Sequence, residues 1–270
     1  LFTGCGGEQV ADKPNNNFSA AELKLGMITR LNTDEKSMGD TLDKVAESLG
    51  VKGTKHLPKF YDSLKTMQLA VEAGEIEQIS TFQSVANYLI ASNDKYELVE
   101  NKNLEKINDV FCFAVRKEDS ALKVELDKVI DEMKSDGSLD KLTKEYINDV
   151  KADNIPKVEI PKIDGAETIK VGVTGDLPPL DLVLADNSPA GFNTALLAEV
   201  AKRSGKNIEV VQIDTGARAA ALSSKIIDVV FWVIVPFGND DIPTDIDKPE
   251  GVEVSAPYFK DNVEHLQLKK

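Results

Sequence analysis

Histidine, cysteine and tryptophan are scarce: two, two and one among 270 residues. His56 and His265 lie far apart without metal-ligand spacing, so no metal site is assigned to them. No P-loop, HExxH helix or nucleophile elbow occurs, and neither a catalytic residue nor a cofactor is implied. Basic residues are short as well. Lys+Arg 32 against Asp+Glu 46 gives a net charge of −14, which repels nucleic-acid phosphates and anionic lipid surfaces, so no nucleic-acid partner is expected. Long apolar runs are missing too: none approaches the roughly 18 residues of a membrane-spanning helix. Asp240, Asp241, Asp245 and Asp247 miss the EF-hand spacing and its terminal Glu, and are expected to form a solvated acidic loop.

What is present is enough for a packed core: 41% of the residues are hydrophobic, in a chain long enough for one large domain or two lobes. Residues 6–20 are rich in Gly, Asn and charge, without periodicity, and are expected to be a tether. A strand over Leu23 to Ile28 leads through Thr29–Thr33 into a helix striped by Leu42, Val45, Ala46 and Leu49. Asp62 is expected to cap a second helix carrying Leu64, Met67 and Val71, which ends at Gly74 before a strand over Ile76 to Thr81. This alternation points to a parallel sheet with crossover helices. Val110 to Val115 is an apolar run that predicts a buried strand, with Cys112 as a packed thiol. Next come a helix striped by Leu122, Leu126, Val129, Ile130 and Met133, and another for which Ser138 is the expected cap. Residues 151–167, with two prolines and many charges, predict a linker. Further strands are expected over Ile169–Val173, Ile208–Ile213 and Ile227–Val235, with helices over Thr194–Arg203 and Ala217–Ser224 between them.

The segments IKVGVTGDLPPLDLV, GFNTALLAEVAKRSGKNIEVVQIDTGARAAALSSKIIDVVF and SAPYF resemble the first lobe of the extracytoplasmic solute-binding proteins of polar amino-acid ABC transporters. The earlier stretches YDSLKTMQLAVEAGEIEQISTFQSVANYLIASNDKYELV and FCFAVRKEDSALKVELDKVIDEMKSDGSLDKLTKEYI resemble that family's second lobe, return strand and closing helices. The family has these parts in the opposite order. The resemblance implies an α/β, two-lobed periplasmic-binding-protein-like fold with mixed, mainly parallel sheets, circularly permuted so that lobe 2 precedes lobe 1. Its expected divisions are a signal remnant and tether (1–22), lobe 2 (23–109), a hinge strand with closing helices on lobe 1 (110–150), the linker (151–167), lobe 1 (168–262) and a second hinge strand (263–270), lying beside Val110–Val115. Two truncated tandem copies are the rival organisation. Cys5, in LFTGCGG, resembles the lipidated cysteine of bacterial lipoproteins, although Phe2 departs from the usual aliphatic residue and a free thiol on a tail is the alternative.

By resemblance the solute lies between the lobes, against loops at strand ends and helix N-termini. The implied contacts are Asp176, Leu177, Thr215, Trp232 and Val233 from lobe 1 and Arg30, Asn32, Thr33, Thr81 and Phe82 from lobe 2. The sequence departs from the family at each part of a zwitterion clamp. Leu177 and Thr215 stand at aromatic positions, Val235-Pro-Phe-Gly-Asn-Asp-Asp replaces the Thr-x-Glu-Arg stretch, and Phe82 replaces an expected Asp. Common amino acids are therefore expected to bind weakly, and Trp232 and Phe82 to favour a partly apolar solute, unless Trp232 is core. Arg30 and Arg218 are candidates for an anionic group, each with a solvated role as the plainer alternative. Asn193 is expected to cap a helix. The resemblance further implies a small-molecule solute, an ABC permease as partner, an extracytoplasmic location and membrane attachment only through a lipid anchor. Two other functions stay open: a dehydratase-like enzyme using Asp176 or Asp214, and an interaction module that binds no solute.

Overall fold

The computed structural model describes residues 21–270; the tether and Cys5 lie outside them. In chain order the elements are β1 (Ala21–Ile28), α1 (Glu35–Ser48), β2 (Thr54–Tyr61), α2 (Leu64–Glu72), β3 (Gln78–Phe82), α3 (Gln83–Ser92), β4 (Tyr96–Leu98) and β5 (Asn108–Arg116). Then come α4 (Ser120–Ser135), α5 (Ser138–Thr143), β6 (Thr168–Val173), three short strands, β7 (Asp176–Leu177), β8 (Asp181–Val183) and β9 (Pro189–Ala190), and α6 (Phe192–Ser204). The last are β10 (Asn207–Gln212), α7 (Arg218–Ser223), β11 (Val229–Phe237) and β12 (Val252–Leu268).

These form two α/β lobes. In the amino-terminal lobe β1 runs parallel to both β2 and β3. In the carboxyl-terminal lobe β6 runs parallel to both β10 and β11. Antiparallel strands join them: β5 pairs with β11, and β12 pairs with β5 over Val252–Asn262, then with β3 over Val263–Leu266 and with β4 over Leu266–Leu268. The two-lobed, mixed α/β class expected from the sequence is thus what the structure shows. The strand expected beside Val110–Val115 lies elsewhere, however. Val263–Leu268 belongs to the amino-terminal sheet, and the stretch of β12 immediately before it lies against β5.

Local chemistry accounts for the main elements. Asp34 caps α1 by accepting a hydrogen bond from the Ser37 N–H at 2.7 Å, and the buried face of the helix carries Met38 and Val45. The cap of α2 is Ser63 rather than Asp62, and that of α5 is Gly137, in the left-handed region at φ 77°, rather than Ser138. α4 and α5 pack on α6 and, through Leu126, Val129, Ile130 and Met133, on the core. Residues 155–163 form neither helix nor strand. An aromatic nucleus of Phe113, Phe231, Tyr258 and Phe192 fills the carboxyl-terminal lobe, with Phe113 and Tyr258 centroids 4.9 Å apart. Cys112 is buried in β5, and burial pushes its thiol up to about 12, so it is a packed, unreactive group. No helix among the described residues is long and apolar enough to cross a membrane.

Candidate functional site

The loops after β1, β6 and β10 meet between the lobes, where the expected open space is filled by an ion pair. Arg218, in the first turn of α7, is fully buried, not solvated. Its five donor positions are all taken. Nε donates to the Thr215 carbonyl at 2.8 Å, Nη1 to the Trp232 carbonyl at 3.0 Å and to Asp247 Oδ2 at 3.1 Å, and Nη2 to the Thr29 carbonyl at 2.9 Å and to Asp247 Oδ1 at 3.1 Å. The guanidinium lies 3.8 Å over the Trp232 ring.

Asp247 is also fully buried, which corrects the reading of residues 240–247 as a uniformly solvated acidic loop. Ile242 and Ile246 drive that segment inward and so carry Asp247 with them. Besides the bidentate guanidinium, the carboxylate accepts the Leu31 N–H and the Ile234 N–H, each at 3.0 Å. Four donors from the two lobes thus surround one carboxylate, and a buried charge is tolerated only under such complete pairing. Asn32 secures the same segment from the amino-terminal lobe, donating from Nδ2 to the Asp245 carbonyl and from its backbone to that of Ile246, both at 3.0 Å.

The other expected contacts are distributed around this seat. Asp176 bridges the lobes: Oδ1 accepts from the Leu64 N–H at the start of α2 at 3.1 Å and Oδ2 from the Thr215 hydroxyl at 3.0 Å, and burial raises its carboxyl. Gly216 lies so close to the Asp62 carboxylate that a Cβ there would collide with it. Leu177 and Val233 are core residues and Thr33 is half-buried. Trp232 is wholly buried, its indole N–H donating to Thr174 Oγ1 at 3.1 Å, so it is both core and the floor beneath Arg218. Thr174 and Gly175 in turn donate to Asp181, as does the Asn193 amide at 2.9 Å. Asn193 is structural as expected, although the N-cap of α6 is Gly191. Trp232 and Phe82 do not meet: Phe111 stands between them, 4.9 Å from Phe82 and 6.5 Å from Trp232.

Arg30, Thr81 and Phe82 belong instead to a cavity of about 240 Å³ under α1, on the amino-terminal sheet. Leu25, Met27, Met38, Val45 and Ile234 give it apolar walls, and Asp109, His56 and His265 add polar ones. Arg30 is 8% exposed and Thr81 4%. Arg30 Nη1 donates to the Ile28 carbonyl at 3.0 Å, but Arg30 Nε and Thr81 Oγ1 are buried without a partner. Burial lowers the Arg30 pKa, pushes the Asp109 carboxyl up to about 6 and holds His265 down at about 4. No group of three or more His, Cys, Asp or Glu side chains among the described residues is placed to hold a metal ion.

Residues 169–235 match the family model described as bacterial extracellular solute-binding proteins, family 3. No curated protein matches the chain. Among solved structures it is similar to CbnR, a LysR family transcriptional regulator, at 11% identity and a TM-score of 0.43, covering 93% of this chain and 65% of that one. It is similar to the periplasmic aliphatic sulphonate binding protein SsuA from Escherichia coli at 11% identity and a TM-score of 0.36, over 92% of this chain and 65% of that one. It is also similar to the GluR0 ligand-binding core from Nostoc punctiforme in complex with L-glutamate, at 11% identity and a TM-score of 0.39, over 93% and 85%. The chain spans 65% of the length of the first two.

Proposed function

We propose that this chain is the extracytoplasmic solute-binding component of an ABC importer, anchored by lipid at Cys5, that captures a small amino-acid-like or partly apolar, anionic solute between its lobes and delivers it to a permease. The observation that carries the reading is the seat around Asp247. A guanidinium on an aromatic floor and two backbone N–H groups, one from each lobe, converge on a single carboxylate. Such a seat suits a solute carboxylate: the carboxyl-terminal lobe supplies Arg218 and the Ile234 N–H, and the amino-terminal lobe adds the Leu31 N–H. With Asp247 in place, a solute has to displace an internal competitor, consistent with weak binding of common amino acids. The order of the lobes is read as a circular permutation, supported by a single strand, β12, that serves both sheets. An enzymatic role for Asp176 is not favoured, because both of its oxygens are engaged in joining the lobes.

Native mass spectrometry of the purified full chain, before and after dialysis, tests the proposal together with thermal-shift screening of wild type and Asp247→Ala. A dialysable small molecule, or a saturable shift with a carboxylate solute that strengthens in Asp247→Ala, is expected. A single unliganded mass and no shift in either protein would overturn it.

A further inference from the structure

The cavity under α1 is a second, separate feature, and the importer reading makes no use of it. Its walls are mostly aliphatic, yet two of the side chains that line it, Arg30 and Thr81, each carry a polar atom, Nε and Oγ1, that is buried without a partner. An orphaned buried donor is costly, and native structures seldom keep one without a reason. Asp247 and Asp109 favour the Arg30 charge, but neither is hydrogen-bonded to it among the described residues. Asp247 is wholly engaged by Arg218 and two backbone groups, and Arg30 and Asp109 form no ion pair among the described residues. What completes this site is a molecule bringing an acceptor to Arg30 and Thr81 and an apolar body to the walls. Size narrows the class further: an apolar cavity of about 150 Å³ takes benzene, so about 240 Å³ holds one ring with a short arm or a branched chain of similar bulk.

We propose that this cavity binds a small apolar monocarboxylate, aryl or branched alkyl, whose carboxylate accepts from the Arg30 Nε–H and the Thr81 hydroxyl while its body lies against Met38, Val45 and Leu25. Phe82, 6.0 Å from the Arg30 guanidinium, forms the aromatic side of the head-group end. Glu100 and Asn101, which also line the cavity, are exposed residues of the amino-terminal lobe.

The probe is 3-phenylpropionate, titrated calorimetrically into the full chain at pH 7, with 3-phenylpropionamide as the uncharged control. Saturable binding of the acid is expected, at least tenfold tighter than the amide. Ala46→Phe, which fills the cavity from the half-buried face of α1, should abolish it. Thr81→Val, close in shape and safe for folding, should weaken it about three- to tenfold, and Arg30→Gln more than tenfold. Absence of binding to the folded wild type overturns the cavity site. So does binding that survives Ala46→Phe but falls in Thr215→Val, because the acid would then lie between the lobes. In both cases a dialysable solute in native mass spectra would leave the importer reading standing, so the two proposals fail separately.

Discussion

Arg218 and Arg30 are both buried arginines near the junction of the lobes, and they differ in completeness. Every donor of Arg218 has an acceptor, and its charge is matched by Asp247 in a bidentate pair. Arg30 donates to one carbonyl, its Nε is buried without a partner, and the residue lines a largely apolar cavity. Burial alone therefore says little about an arginine's role. A saturated guanidinium holds structure in place, whereas one with a donor left over can still take a further acceptor.

The comparison breaks most easily at the saturated end. Arg218→Met should lower unfolding free energy by about 3–5 kcal/mol, because it strands Asp247 as an unpaired buried charge. Asp247→Leu should do the same to Arg218, and the double variant should lose much less than the sum. Urea unfolding of the three proteins checks this; additive losses would show that the pair is not coupled.

The hydroxyls of Thr174 and Thr81 repeat the contrast on a smaller scale. Thr174→Val removes the acceptor of the Trp232 indole N–H and a donor to Asp181, and should cost about 1–3 kcal/mol in the same assay.

The cavity wall should also respond to acid. His265 is held neutral by burial, its pKa lowered from 6.5 to about 4, so the stability tied to it is present above pH 6.5 and is lost as pH falls toward 4. Asp109 and Asp181, raised from 3.8 to about 6, act in the opposite sense. Their contribution is present below pH 3.8 and is lost as pH rises through 6. The two effects oppose each other between pH 4 and 6.5 in the wild type. His265→Gln removes one of them, and its stability change from pH 7 to pH 5 should be more favourable than the wild type's by about 2 kcal/mol. Parallel pH profiles for the two proteins would show that His265 is not held neutral.

The smallest effect has the opposite sign. Thr81→Val removes a buried hydroxyl that has no partner, and should raise the stability of the ligand-free chain by about 1 kcal/mol. A loss instead would mean that the hydroxyl is satisfied, which would remove half of the case for a ligand in the cavity.

Most of the architecture was legible because it rests on local signals. The buried run Val110–Val115 and the stripe of α4 stand out from hydrophobic pattern alone. β2 was missed: it lies at the sheet edge, contains Pro58, alternates poorly and is nowhere fully buried. β12 was read too short because Pro257 interrupts its pattern, and its pairing with β5 slips in register on either side of that residue. Arg30, Thr81 and Phe82 were read as one solute site with Trp232, whereas they line the cavity under α1 and Phe111 stands between Phe82 and Trp232. Asp247 was missed because aspartate burial depends on a partner in another element, here Arg218. The only local signal was the pair Ile242 and Ile246 in an otherwise polar segment.

The reach of β12 also bears on how the protein is made. β3 has β1 on one side and, on the other, a strand that follows far along the chain: His265 and Gln78, in contact across that pairing, are 187 residues apart. At about 5–20 residues per second, translation delivers β12 roughly 10–35 s after β3. Through that interval the amino-terminal lobe carries a bare strand edge, open to wrong partners. Its sheet therefore stays unfinished in the nascent chain, and a factor that shields this edge during synthesis should raise the yield of folded protein more than one that acts on the carboxyl-terminal lobe.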